Sequence, residues 1–439
     1  MPFRVTVIGT GYLGATHAAC MAEIGHEVLG VDVDPDKIAA LQAGRVPFYE
    51  PGLEDLLAKH VASGRLRFTT SYEEAADFGD VHFSCVGTPQ VRDGYAADLR
   101  YVDAVIEQLA PHLTRPCLVV GKSTVPVGTA QRLADRLAAL APVGELAELA
   151  WNPEFLREGF AVEDTLRPDR LVFGTRSDPA RETLEEVYEP VIGQGTPVVV
   201  TDFPTAELVK TSANAFLATK ISFINAMAEV CEASGADVSR LAEALSHDDR
   251  IGGRFLRPGV GFGGGCLPKD IRAFMARAGE LGVDQALTFL REVDAINMRR
   301  RSRTVDLARE LCEGRFLGRK IAVLGAAFKP DSDDVRDSPA LNVAGQIQLM
   351  GGDVTVYDPK AMDNARKVFP SLGYAQSLDD AVQGAHAILL LTEWEQFRTL
   401  DPEWLRGQVA EPRIVDGRGA LDPARWRQAG WTYRALGRP

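Results

Sequence analysis

Short apolar, β-branched runs alternate with stretches of helical periodicity along most of the chain. Val5 to Ile8 is one such run. It leads into Gly9, Thr10, Gly11, Tyr12, Leu13 and Gly14 and then into a helix-compatible stretch, Ala15 to Ile24. The pattern predicts strand, glycine turn and helix. A second run, Val28 to Val31, closes on Asp32, and further strand-like runs stand at Val81 to Val86, Leu118 to Lys122, Leu149 to Trp151 and Leu171 to Phe173. Strands separated by helical patterns predict a parallel, doubly wound sheet. From about Thr205 to Ala233 the strand signals stop, and Leu208, Phe216, Leu217, Ile221, Ile224 and Met227 recur near helical spacing. Another helical pattern covers about Gln285 to Glu313. After Lys320 the alternation returns, at Ile321 to Gly325, Val354 to Asp358, Ala387 to Leu391 and Arg413 to Gly417.

The glycine turn gives the first domain a ligand class. A G-x-G-x-x-G string alone is weak evidence, and a turn with no ligand is its alternative. Here it lies between two strands, and Asp32 follows Gly14 by 18 residues, near the spacing at which an acid meets an adenosine ribose. The glycines allow a tight turn and close backbone approach to a pyrophosphate at a helix N-terminus. The expected fold class is therefore α/β, with two doubly wound Rossmann-like domains joined by a long-helix central region, divided at 1–204, 205–313 and 314–439. Ligands of such sheets sit beyond the carboxyl ends of the strands, where GTPQ (Gly87 to Gln90), STVP (Ser123 to Pro126) and NPEF (Asn152 to Phe155) fall. The first turn of the second α/β domain, GAAFKPDSDDVRDS, lacks the dinucleotide glycines and is expected to bind something else. The long central helices suit a dimer interface, with an intramolecular core as the alternative.

Composition narrows the partners. The chain has 439 residues, 46% hydrophobic and 25% charged, with 41 Gly and 25 Pro spread along it, which excludes disordered and fibrous classes. A formal charge of −13 disfavours nucleic acid and acidic membrane surfaces, so an anionic ligand must be held by local cations. Arg250, Arg254, Arg257, Lys269, Lys329 and Arg336 supply these in loops, enough for a cofactor and a phosphorylated substrate. Apolar runs are as short as AILLL at 387–391, so no membrane span is expected, and Glu23, His26 and Glu27 stand where a signal peptide's cleavage region would fall. The protein is expected to be cytoplasmic and reduced. Six cysteines without a C-x-x-C pair predict no disulfide framework, and seven histidines without ligand spacing predict no metal; His17, His26 and His247 read as structural.

The most informative residue is Cys266. It sits in RFLRPGVGFGGGCLPKD (Arg254 to Asp270), a segment too rich in glycine for a helix. Three glycines precede it, and Pro268 suits the first turn of a following helix. A cysteine at a helix N-terminus beside a lysine has a lowered thiol pKa and is nucleophilic. A buried structural cysteine is the alternative, and it fits the other five better. Asp270 lies four residues on, hence on the same helical face. Lys210 and Asn214 are likewise four apart on a predicted helix and can stabilise an oxyanion, or can form a solvated face. Glu154 and Glu158 repeat the spacing after Asn152 and Pro153, as a general base beside a polar binding group or as surface carboxylates of a capped helix.

Taken together, GTGYLG, Asp32, STVPVGT, NPEFLREG, the Lys210 and Asn214 pair, GFGGGCLPKD and FKPDSDDVRDSPA resemble the UDP-glucose/GDP-mannose dehydrogenase family, in family order from residue 9 to about 418. The resemblance implies an enzyme that oxidises a C6 hydroxymethyl twice, to a carboxylate, with two NAD and a cysteine holding a thiohemiacetal and then a thioester. It makes Cys266 the nucleophile, has Asp270 with Thr124 position a water, has Lys210 and Asn214 stabilise oxyanions, and gives Glu154 the thioester hydrolysis. For NAD it carries over Gly9, Gly11, Tyr12, Leu13, Gly14, Asp32, Lys37, Thr88, Thr124, Glu158, Lys269 and Arg336. For the nucleotide sugar it carries over Glu154, Phe155, Leu156, Arg157, Glu158, Lys210, Asn214, Arg250, Phe255, Leu256, Arg257, Pro258, Gly259, Gly263, Lys329 and Arg418. The counterpart of Arg250 serves the neighbouring subunit, which implies a homodimer. Gly265 departs from the serine many members have, which implies a looser turn. FLRPG resembles the GDP-mannose branch and VGFGG the UDP-glucose branch; UDP-glucose is the expected substrate, with TDP-glucose and GDP-mannose as alternatives. A two-electron hydroxy-acid dehydrogenase would share the first domain but would not explain GGGC, and an NAD-sensing scaffold would need no reactive thiol.

Overall fold

Side-chain alternation along the first strands sets two buried layers, one on each face of a sheet. In the computed structural model, which describes residues 2–439, β1 (Arg4–Ile8) sends Val5 and Val7 into one layer and Ile8 into the other. β2 (Glu27–Val31), β3 (Leu66–Thr69), β4 (Val81–Ser84), β5 (Cys117–Gly121), β6 (Ala147–Trp151), β7 (Leu171–Gly174) and β8 (Val198–Thr201) complete the sheet. Its order is β3-β2-β1-β4-β5-β6-β7-β8, with β1 between the two halves. All neighbours are parallel except β6 and β7, which run antiparallel at Trp151 and Gly174. Residues 152–170 therefore make no crossover. They stay at the carboxyl edge of the sheet, where NPEFLREG and the short helix Ala161–Leu166 lie.

The chain divides into two compact units, Met1–Ala213 with Arg272–Gly282, and Asn214–Ile271 with Val283–Pro439. The helix Phe203–Ser234 runs unbroken through the first boundary, and Leu267–Glu280 through the second. In the second unit β9 (Lys320–Leu324), β10 (Asp353–Tyr357), β11 (Gly373–Tyr374), β12 (Ala387–Leu390), β13 (Arg413–Asp416) and β14 (Thr432–Ala435) form an all-parallel sheet. Its order, β11-β10-β9-β12-β13-β14, is again doubly wound about the first strand. The fold class read from the sequence is the one observed. No helix among the described residues is long and apolar enough to cross a membrane.

Four strands are not among the runs expected above: β3, β11 and β14, which have no apolar run, and β8, which is the apolar run Val198 to Val200. They are the outer strands of the two sheets. An outer strand is short and partly solvated; β14 alternates exposed and buried residues, and β8, though rich in valine, keeps none fully buried.

The carboxyl ends of the parallel strands need hydrogen-bond acceptors for the loops that turn there. Asp358, 1% exposed beyond β10, accepts from the backbone N–H groups of Ala326 (2.8 Å), Ala327 (3.0 Å), Lys360 (2.9 Å) and Ala361 (2.9 Å) and from the Trp394 indole (3.0 Å). An amide there can no longer accept at both positions. Asp358→Asn is expected to destabilise this unit by about 3 kcal/mol, because buried donors lose a charged acceptor. Urea unfolding followed by tryptophan emission measures it; an unchanged midpoint would remove Asp358 from the stabilising framework.

Candidate active site

The glycine turn after β1 is shaped by two close approaches. Gly9 has φ +88°, and a Cβ on Gly14 would lie 1.8 Å from the Gly9 carbonyl oxygen. Only glycine brings the helix Tyr12–Glu23 this near the strand. Nothing lies within 4 Å of a Cβ built on Gly11, which leaves room over the helix N-terminus for a pyrophosphate. Asp32, 8% exposed, closes β2: its Oδ2 accepts from Thr10 N (2.9 Å) and Lys37 Nζ (2.9 Å), its Oδ1 from Asp34 N (3.1 Å). Burial pushes this carboxyl up, but Lys37 and the Asp34 and Thr10 amides outweigh it and hold it below its usual range. Oδ1 carries one bond, so it can still accept from a ribose hydroxyl. Asp358, at the matching place in the second sheet, is filled by five donors. The first turn therefore fits NAD, and the second does not. A 2′-phosphate would face the Asp32 carboxylate, which favours NAD over NADP.

The neighbouring loops of this unit are tied to one another. Thr88 Oγ1 donates to the Thr124 carbonyl (2.7 Å), and Ser123 Oγ to that of Val86 (2.6 Å). Tyr12 donates its hydroxyl to Glu50, whose carboxylate also accepts from Gly159 N (2.6 Å) and Ala161 N (2.7 Å). Glu50 thus fixes the segment carrying Phe155 to Glu158 to the cofactor helix. Glu207 does the same for the helix Thr129–Leu140, accepting from Gly128 N (2.7 Å) and Ala130 N (2.6 Å), and burial pushes its carboxyl up. Sequence reasoning missed both glutamates, whose backbone partners lie 77 to 111 residues away. Glu154 Oε1 pairs with Lys210 Nζ at 3.0 Å, both largely buried, and its Oε2 accepts from Leu156 N (2.6 Å). The Lys210 ammonium also lies 5.6 Å from the Phe155 ring centre. Arg157, by contrast, turns outward to Asp164 (2.6 Å).

In the second unit the glycine segment ends where the helix Leu267–Glu280 begins. Asp270 N bonds the Cys266 carbonyl (2.9 Å), which puts Cys266 at the N-cap. Cys266 is exposed, while Cys20, Cys85, Cys231 and Cys312 are buried and Cys117 is half-buried. Burial pushes those five thiols up, Cys20 and Cys85 to about 12 and Cys117 to about 11. Asp270, 2% exposed, accepts from Asn214 Nδ2 (2.6 Å) and from the Lys269 ammonium. So Asn214, Lys269 and Asp270 form one cluster at the first turn below the cysteine.

The segment before Cys266 is held from several sides. A Cβ on Gly263 would stand 2.3 Å from the Asp337 carbonyl, and one on Gly265 2.2 Å from the Arg336 guanidinium carbon. The looser turn expected at Gly265 is therefore occupied: Arg336, forked onto Asp334 (2.7 and 2.9 Å), fills the space a side chain would take. Asn297 pairs with the Phe262 peptide through N–H (2.7 Å) and carbonyl (3.0 Å), and Gly259 N donates to Asn225 (2.9 Å). Arg418 donates to the carbonyls of Leu391 (2.7 Å), Gly261 (3.0 Å) and Phe328 (2.9 Å). Leu256 is buried with Ile224, while Phe255, at φ +65°, and Arg257 are exposed; Pro258 is half-buried. Lys329 lies over the Phe328 ring at 5.6 Å. Arg250 is exposed and bound to Asp248 (2.7 Å).

Gly14→Ala is expected to lose about 1–3 kcal/mol of stability by overpacking, whereas Gly11→Ala should melt near the wild type and bind NAD more weakly. Thermal melts with and without NAD measure both. Equal NAD-dependent stabilisation of the wild type and the Gly11 variant would place the pyrophosphate elsewhere.

Three family models match in sequence order: the NAD binding domain of the UDP-glucose/GDP-mannose dehydrogenase family over residues 3–192, its central domain over 204–299 and its UDP binding domain over 322–423. The UDP-glucose 6-dehydrogenase of Rhizobium meliloti is 42% identical over 438 residues, covering 99% of this chain and 100% of that protein. That of Pseudomonas aeruginosa is also 42% identical, over 99% of this chain and 98% of its own length. The solved UDP-glucose dehydrogenase of Pyrobaculum islandicum superposes with a TM-score of 0.91 at 38% identity, covering 100% of this chain and 98% of that one. With matching models over all three segments and relatives of this identity along its whole length, the chain belongs to the UDP-glucose/GDP-mannose dehydrogenase family.

Proposed function

We propose that the protein oxidises the C6 hydroxymethyl of UDP-glucose to the carboxylate of UDP-glucuronate, with two NAD consumed per sugar and Cys266 as the covalent anchor. The observation that carries the substrate is the 42% full-length identity to enzymes named UDP-glucose 6-dehydrogenase. NAD, when bound, takes up one hydride from C6 in each of two successive oxidations. All other steps belong to the chain. The family resemblance assigns Asp270 and Thr124 to the water that receives the hydroxyl proton as the alcohol becomes an aldehyde. The Cys266 sulfur then adds to C6, forming a C–S bond, and the carbonyl oxygen becomes an oxyanion, whose stabilisation the family resemblance assigns to the Lys210 ammonium and the Asn214 amide. Oxidation of that adduct leaves a thioester. Water attacks it, Glu154 takes a proton from the water, the C–S bond breaks, and the cysteine sulfur leaves with the bonding pair. The covalent link keeps the half-oxidised sugar bound between the two oxidations.

The reading includes a cytoplasmic homodimer. Phe216, Phe223 and Val230 recur every seven residues along the helix Phe203–Ser234 and are 67%, 47% and 56% exposed. An apolar stripe of that kind supports association, and the exposed Arg250 would serve the partner's substrate.

Limiting UDP-glucose is expected to yield two NADH per mole, against one or none from TDP-glucose and GDP-mannose. Two NADH from another sugar would move the specificity, and one from UDP-glucose would exclude four-electron chemistry. Cys266→Ser should lower uronate formation by about a thousandfold or more; near-normal release would sink the covalent route. The double variant Phe216→Glu, Phe223→Glu should sediment as a monomer where the wild type sediments as a dimer. Equal sedimentation coefficients would exclude this face as the interface.

A further inference from the structure

We propose that Lys122 is a positioning residue for thioester hydrolysis, its buried amine fixing the Asn152 carboxamide and thereby the stretch of chain that presents the Glu154 carboxylate. This rests on the reading that Glu154 takes the proton of the attacking water. Lys122 follows the carboxyl end of β5 and is 6% exposed. Its Nζ donates to Asn152 Oδ1 (2.9 Å) and to the Tyr188 hydroxyl (3.3 Å), over the rings of Phe83 (5.9 Å) and Tyr188 (5.8 Å). Asn152, 1% exposed, accepts the Tyr188 hydroxyl on the same oxygen (2.7 Å), and its Nδ2 donates to the Val172 carbonyl (3.0 Å). Its backbone N–H bonds the Gly121 carbonyl (2.8 Å). The carboxamide is thus gripped from three sides at the residue where β6 turns into Pro153 and Glu154.

A buried ammonium is a costly way to fill a space between aromatic rings. Among the described residues no carboxylate forms an ion pair with Lys122, and packing alone would be satisfied by a methionine of the same length. What the amine adds is a charged donor on Asn152. Burial pushes it down to about 8, with Cys85 and Glu154 opposing that shift and Lys210 adding to it. The same amine is a neighbouring charge in the downward shift of the buried His17. Glu154 and Lys210, the ion pair of the site, are therefore within its field. The proton acceptor works only with its oxygen held near the attacking water, and displacements of about 1 Å cost up to about a hundredfold in rate.

The test uses the full-length protein with NAD and UDP-glucose. Lys122→Met is read by rapid-quench NADH formation, steady-state kinetics and intact mass. The expected result is a first NADH burst near the wild-type rate and KM values within about twofold. The turnover number should fall by about tenfold or more, with a uronyl adduct accumulating on Cys266. A merely structural role would slow the burst and the hydrolysis together, and that outcome, or a turnover number like the wild type with no adduct, overturns the proposal. Asn152→Ser, which cuts the link while leaving the lysine, should accumulate the same adduct and decides the question if Lys122→Met does not fold; its absence counts against the proposal. Glu154→Gln is run alongside. If it accumulates no adduct, the assignment of Glu154 fails by itself; if it does and the Lys122 variant does not, only the role of Lys122 fails.

Discussion

Buried carboxylates that accept backbone amides are the interaction on which the rest of this structure depends. The loops at the carboxyl ends of parallel strands carry N–H groups that no ladder satisfies, and each costs free energy if it is buried without an acceptor. Here Asp32 takes Thr10 and Asp34, Glu50 takes Gly159 and Ala161, and Glu207 takes Gly128 and Ala130. In the second unit Asp358 takes four such amides and Asp416 takes those of Arg418, Ala420 and Leu421. Hydrogen bonds to a charged acceptor contribute about 1.5–3 kcal/mol each. Loops anchored in this way can be polar, rich in glycine and still fixed.

The same device separates the two sheets by ligand. In the first, Asp32 keeps acceptor capacity on Oδ1, and Gly11 leaves open space above the helix N-terminus. In the second, the Trp394 indole and four amides fill Asp358. Two sheets with one winding thus offer different chemistry, because a few side chains at corresponding strand ends differ in how many donors they already hold.

Arginine plays the complementary part in the second unit. Arg418 collects three carbonyls from residues up to 157 positions away from it, and Arg336 occupies the space left by Gly265. The departure from serine at Gly265 is thereby matched with a guanidinium close against the backbone. Cys266 sits at the end of a segment held by close contacts, at the N-cap of a helix.

By itself, the sequence determined what depends on near neighbours in the chain. The central strands, the glycine turn with Asp32, the start of a helix at Cys266 and the one-turn spacings of Lys210 with Asn214 and Cys266 with Asp270 are all set by residues a few positions apart. Their signals are backbone conformation and periodicity, and these are local. The tertiary structure decided the rest. The outer strands β3, β11 and β14 exist because a sheet edge was available to pair with, not because their own residues form an apolar run. Glu50, Glu207 and Lys122 look like ordinary charged residues in the chain and become buried anchors only when segments from 30 to 111 residues away are packed against them. Arg157 keeps a family motif's identity yet turns to Asp164, a choice made by which partner lies within reach. Burial and partner identity are properties of distance in space, and one sequence read alone carries no measure of that distance.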